Sequence, residues 1–238
     1  MRTSIVAMLA LAVGCGEAYD SSVPTNKTTT FAAQVEAAQV RMHVRFDAAR
    51  KVEDAIAHSD LDRARGAARL IDSLDEPEIM PQWTPFVVDV RNAARQVIQA
   101  GDVVAAANNT AILGARCAAC HVAIKARITF PNEPRPSSDP KLASEMVGHQ
   151  WAAVQMWEGL IGPADDRWLA GANALTTVPL NIVARAATRT SPDDIDDVAR
   201  VRMFATRAVG AKELDARADV FGKLLAACAH CHATLRDR

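Results

Sequence analysis

Cys117-Ala118-Ala119-Cys120-His121 and Cys228-Ala229-His230-Cys231-His232 share one spacing, two thiols followed by an imidazole. On a helix these three groups fall at i, i+3 and i+4 and project from one face. Thiols so placed can add to the vinyl groups of a porphyrin as thioethers, and the imidazole can bind its iron. Two other meanings of the spacing are weaker. Structural zinc needs four ligands close together, whereas these pairs lie in separate parts of the chain. A thioredoxin-like dithiol wants a preceding strand and a helix N-terminus that lowers the thiol pKa, whereas these cysteines come late in helical segments. The expectation is two haem c groups, attached at Cys117, Cys120, Cys228 and Cys231, with His121 and His232 as proximal iron ligands.

Such strings need helices to carry them. Half of the 238 residues are hydrophobic but only 5% are aromatic, and the abundance of alanine favours helix. Phe31, Val35, Ala38, Met42, Phe46, Ala49, Val52 and Ile56 recur at three- and four-residue steps, the apolar face of a long first helix. Ser59 or Asp60 can cap a second helix that stops before Pro77. A third runs from near Trp83-Pro85 to Ala100 with Gly101 as its C-cap, and Asp102 caps a fourth that carries the first string. The later half follows suit, with a helix from about Leu142 to Leu160, a break at Gly162-Pro163 and a helix from about Ala164, kinked at Pro179. Ser191-Pro192-Asp193-Asp194 then offers a capping hydroxyl, a first-turn proline and acids at the positive dipole end. The last helix spans about Lys212 to Leu235, and no segment alternates like a strand.

The chain also repeats itself. One constant offset carries Met42 onto Met146, Ala49 onto Ala153, Asp62-Arg63 onto Asp166-Arg167 and Ala68 onto Ala172. A slightly larger one carries the first string onto the second, with Val87 on Val198, Val90 on Val201, Ala94 on Ala205 and Leu113 on Leu224. The difference reads as a short insertion between Leu175 and Asp194. Between the copies, Pro131-Asn132-Glu133-Pro134-Arg135-Pro136-Ser137-Ser138-Asp139-Pro140 is a stiff, extended hinge. The expected fold is all-α, two four-helix bundles in series (31–130 and 142–238) joined by a linker at 131–141, each with its haem near its C-terminal end.

Ahead of the first bundle, Arg2 precedes an apolar run from Ile5 to Val13 that is too short to span a bilayer and reads as an export signal over 1–14. Cys15 after Ala12-Val13-Gly14 resembles a bacterial lipobox, so it is the candidate lipidation site and membrane anchor; ordinary secretion is the alternative. Residues 15–30 lack apolar period and read as a flexible tether. The location expected is the periplasmic side of a bacterial membrane. With 27 basic against 28 acidic residues, and no basic run, nucleic-acid binding has no support.

Helix content, tandem copies and C-terminal haem strings together resemble the class II c-type cytochromes, the cytochrome c prime family of four-helix bundles, over about 30–128 and 142–236. The resemblance implies a basic residue four positions past the proximal histidine, matched by Lys125 and Arg236. It also implies that the sixth iron position, when filled, takes a methionine near the start of the first helix, matched by Met42 and Met146. A homodimer is a further implication. The tandem arrangement and the histidines near both methionines depart from the family pattern. His149, three residues past Met146 on the same helix face, rivals it, whereas His43 points elsewhere, His58 sits at a helix end and His230 is constrained inside its string. Trp83, Trp151, Trp157 and Trp168 read as packing residues, with Trp151 or Trp157 able to line a porphyrin face.

Two functions follow from these residues. With histidine and methionine on each iron, the protein carries single electrons between redox partner proteins and is not an enzyme. With an open sixth position, it binds a diatomic gas as sensor or scavenger. A peroxidase is more distant, since no distal His/Arg pair is evident.

Overall fold

The computed structural model describes residues 30–75, 79–136, 142–177 and 192–236. The leader, Cys15, almost all of the tether, the insertion region with its expected kink at Pro179, and the end of the linker lie outside the described residues. Those described are helical or irregular, with no strand among them. The helices are α1 (Phe31–Ala57), α2 (Leu61–Ser73), α3 (Thr84–Gln99, after a short 3-10 turn at Pro81–Trp83), α4 (Val103–Ala123), α5 (Leu142–Ile161), α6 (Asp165–Thr177), α7 (Pro192–Val209) and α8 (Leu214–Arg236). The fold is all-α.

Local chemistry sets the helix ends. The Asp102 carboxylate accepts from the Ala105 amide at 2.7 Å and the Asp60 carboxylate from Arg63 at 2.9 Å, each satisfying a first-turn N–H. Asp60 rather than Ser59 is therefore the cap of α2; Ser59 takes a left-handed backbone (φ 59°) instead. The expected glycine cap at Gly101 is not used in the left-handed way, since no described glycine has positive φ and Ala100 closes α3. At the end of α4 the left-handed residue is Lys125 (φ 54°), after which the Ala126 amide returns to the His121 carbonyl at 2.9 Å and stops the helix just past its string.

Consecutive helices pack side by side from α1 to α4 and again from α5 to α8, with α1 also touching α4 and α5 touching α8. The two string-bearing helices, α4 and α8, lie along one another, while α1 touches α8 and α5 touches α4. One continuous core results, in which Val52, Ile56, Val97 and Leu113 of the first copy join Trp157, Leu160, Phe221 and Leu224 of the second. Helix α4 is apolar enough to cross a membrane by length and composition, and it is packed in this core. Its alanines permit that, because a helix gripped on several sides needs small residues all round.

The α4–α8 crossing carries a trace of the duplication. The string offset maps Ala111 of α4 onto Gly222 of α8, and these two equivalent positions meet. A methyl group on Gly222 would lie 3.4 Å from the Ala111 Cβ and 3.0 Å from the Asn108 Cα. Self-complementary contact of equivalent positions is the mark of a two-fold interface, here built within one chain.

The apolar stripe of α1 is buried only in its later part. Phe31 is 69% exposed, as are Val40 and Val44 in good measure, and burial begins at Arg45. The Pro-rich segment is irregular as far as 136 and held down on the second copy: Arg167 donates to the carbonyls of Phe130 and Pro131, and the Trp151 indole to that of Glu133 at 3.0 Å.

Candidate haem sites

The final histidine of each string is held by backbone of the opposite copy. His121 Nδ1 meets the Ile161 carbonyl at 2.9 Å, and His232 Nδ1 meets the Ala57 carbonyl at 2.6 Å. Ala57 and Ile161 are the last residues of α1 and α5, and the first-helix offset maps one onto the other. A terminal carbonyl of a helix has no partner within that helix and lies at the negative end of its dipole. With a carbonyl as the only partner, Nδ1 carries the proton and donates, which leaves Nε2 as a lone-pair ligand. Burial lowers the pKa of both rings, so they stay neutral, the form that binds a metal.

His121 Nε2 is buried without a hydrogen-bond partner. An interior polar atom left unsatisfied costs about 1–3 kcal/mol, so this orphan fits a ring waiting for iron. The thiols fit as well. Cys117, Cys120 and Cys228 are free thiols, and burial pushes the Cys117 and Cys228 thiols up to about 12. Thiols that stay protonated are poor redox nucleophiles, against a thioredoxin-like role. Among the described residues no group of three or more His, Cys, Asp or Glu side chains converges.

The methionines are brought to these strings. Met42 lines a small, mostly apolar cavity of about 20 Å³ with Arg45, Phe86, Val87, Val90, Cys117, Cys120 and His121. Met146 lines a cavity of about 540 Å³ with His149, Asp197, Val198, Val201, Cys228, Cys231 and His232, and Glu53, Ala57 and His58 of α1 also line it. The larger volume is of the size that holds small-molecule cofactors, about 300–1,000 Å³.

The remaining histidines and tryptophans take lesser places. His43 is exposed. His58 Nδ1 donates to the Asp54 carbonyl at 2.8 Å, as expected of a helix end, and its ring stacks on that of His232 with centroids 5.1 Å apart. His230 turns away from the string to the buried Asp197 carboxylate at 2.7 Å. Trp157 stacks on Phe221 in the core, and the Trp168 indole donates to the Ala208 carbonyl at 2.8 Å.

Arg45, Phe86, Glu53 and Asp197 were not singled out from the sequence. The repeat held a signal for two of them, since the string offset sets Phe86 and Ala119 of the first copy against Asp197 and His230 of the second, an apolar pair exchanged for a hydrogen-bonded one. Glu53 sits in a helix stripe where an apolar residue is normal, and it is buried. Its carboxyl is pushed up to about 8 by burial and by neighbouring Asp54. Because the fold favours the neutral form, the stability tied to this group is full below about pH 4.5 and lost as pH rises toward 8. Glu53→Gln stays neutral throughout. The variant is expected to match the parent near pH 4 and exceed it by roughly 1–4 kcal/mol at pH 8 in urea melts. A pH-independent difference would contradict the assignment.

Compared with family models, curated proteins and solved structures, the chain shows no match.

Proposed function

We propose that this chain is a dihaem c-type cytochrome that carries single electrons in the cell envelope, with each copy of the repeat forming a four-helix bundle around one haem. The observation that carries the reading is the pair of Cys-x-x-Cys-His strings whose imidazoles are both tied through Nδ1 to a helix-end carbonyl, one with its Nε2 buried and unmatched. The sequential packing of α1–α4 and of α5–α8, each closed by a contact between first and last helix, supports the two bundles.

A haem iron, when bound, supplies a one-electron couple whose potential follows its axial ligands and its burial. The chain's own residues do the rest. Cys117 and Cys120, and Cys228 and Cys231, would hold the macrocycle edges. The carbonyls of Ile161 and Ala57 orient the imidazoles and keep them electron-rich. Met42 stands in the first cavity as the distal candidate, and Met146 and His149 in the second. The packing of α4 along α8 brings both attachment helices into one core, so an electron shared between the sites need not leave the protein. Partners would be redox proteins.

The same reading makes residues 1–14 an export signal and Cys15 a lipidated anchor on the periplasmic side of a membrane, both outside the described residues. Mass spectrometry of the mature, exported protein is the test. Two added porphyrin masses, on peptides containing Cys117 and Cys228, are expected, with a lipid on Cys15. A chain bearing no porphyrin would end the proposal. A high-spin ferric spectrum, unchanged in Met42→Ala and Met146→Ala, would instead favour diatomic-gas binding.

A further inference from the structure

The two sites are not copies of one another, and the difference falls where a sixth ligand would stand. Met42 and Met146 are equivalent in the repeat. Three residues further along the same helix faces, Arg45 is the equivalent of His149. A guanidinium remains protonated in proteins and offers no lone pair to a metal. An imidazole does. At that position only the second copy therefore offers a nitrogen ligand, and His43, next to Met42 in the first copy, is exposed and does not line its cavity.

We propose, resting on the reading above, that His149 is the second iron's distal ligand in place of Met146, so that the protein carries one imidazole–thioether haem and one bis-imidazole haem. Two independent observations support this. His149 lines the same cavity as Cys228, Cys231 and His232, on the wall formed by α5. Its Nε2 is buried and has no hydrogen-bond partner, as is true of the proximal His121 Nε2. Orphaned ring nitrogens are uncommon because the cost of desolvating them is not returned; metal binding returns it. Met146 carries no such unmet atom and is at home as packing in an apolar wall. In the first copy, Met42 faces the string across a cavity with no second imidazole.

The consequence is a built-in difference between sites. Thioether ligation raises a haem potential relative to imidazole, so the second copy would hold the lower-potential iron. An electron-sharing equilibrium at least about tenfold in favour of the first copy is expected, ~59 mV for one electron, read as two waves in a redox titration.

Paramagnetic resonance and near-infrared magnetic circular dichroism of the ferric holoprotein distinguish the ligand sets. The parent is expected to show one imidazole–thioether and one bis-imidazole species. In His149→Gly the bis-imidazole species should vanish and return on addition of free imidazole, with the other unchanged. Met146→Ala should leave both. Two imidazole–thioether species in the parent, two high-spin species, or loss of a low-spin signal in Met146→Ala but not in His149→Gly would overturn the assignment while leaving a dihaem protein in place. If His149→Gly fails to fold, the parent spectrum still decides. Absence of any porphyrin mass would fail the underlying reading instead.

Discussion

Replacing Cys117 and Cys120 together by alanine is expected to leave a mature protein with one porphyrin mass and a loosely packed first copy. The core around α1–α4 is built largely from alanine and valine, with Ile56, Ile71 and Leu113 as its largest fully buried members. On the proposed reading the helices close around the macrocycle rather than around the cavity of about 20 Å³ now at the first string, and interiors must be filled to near-crystalline density, so its loss leaves the first copy short of its packing partner. Losing a tightly held ligand removes on the order of 4 kcal/mol, a fall in melting midpoint of ~8–16 °C for a chain of this length. The damage should not stop at the first copy. Unseating His121 frees the Ile161 carbonyl at the end of α5, whose other face lines the second cavity. The Soret and near-ultraviolet dichroism of the remaining haem should therefore shift. A variant that melts cooperatively at the parent temperature, with its remaining haem unperturbed, would refute both the packing argument and the cross-copy grip.

Gly222→Leu is the second large effect expected. A Cβ there would come 2.7 Å from the Asn108 Oδ1 and 3.0 Å from the Asn108 Cα, and that Cα belongs to the backbone of α4. The amide can rotate away; the helix cannot. Separating α4 from α8 would cost about 3 kcal/mol or more, at the upper end of overpacking effects, and would open the core at the point where equivalent positions meet. On the proposed reading, both haem spectra should change together in Gly222→Leu, since the crossing is shared. Gly66 provides the contrast. It lies in α2 with nothing within 4 Å of an added Cβ, so Gly66→Ala should stabilise by roughly 0.5–1 kcal/mol through helix propensity alone. Urea melts of the two variants read both signs. Equal, small effects would mean that the crossing is looser than its geometry.

Much of the helical plan was legible because its signals are local. Asp60 and Asp102 mark starts with side chains that do the capping, and Pro192 opens α7 where a first-turn proline was expected. The strings were legible because three side chains at fixed spacing define a face. The grip on the histidines was not, for a physical reason: its acceptors are main-chain carbonyls of Ala57 and Ile161, and any residue there would present the same oxygen. The α4–α8 crossing was hidden likewise, since alanines and a glycine that permit close approach read as ordinary helix formers. Periodicity misjudged α1 in both directions. It counted Phe31, which is exposed, and passed over Arg45 and Glu53, which are buried.

The grips also imply a timetable for folding. The contact from His121 to Ile161 spans 40 residues, whereas that from His232 to Ala57 spans 175. Long loops close late because more chain freedom must be surrendered before any bond is gained. A polypeptide emerging N-terminus first would seat the earlier imidazole as soon as α5 had cleared the exit. The later one would stay unclasped until the final helix arrived, leaving the second string accessible longest.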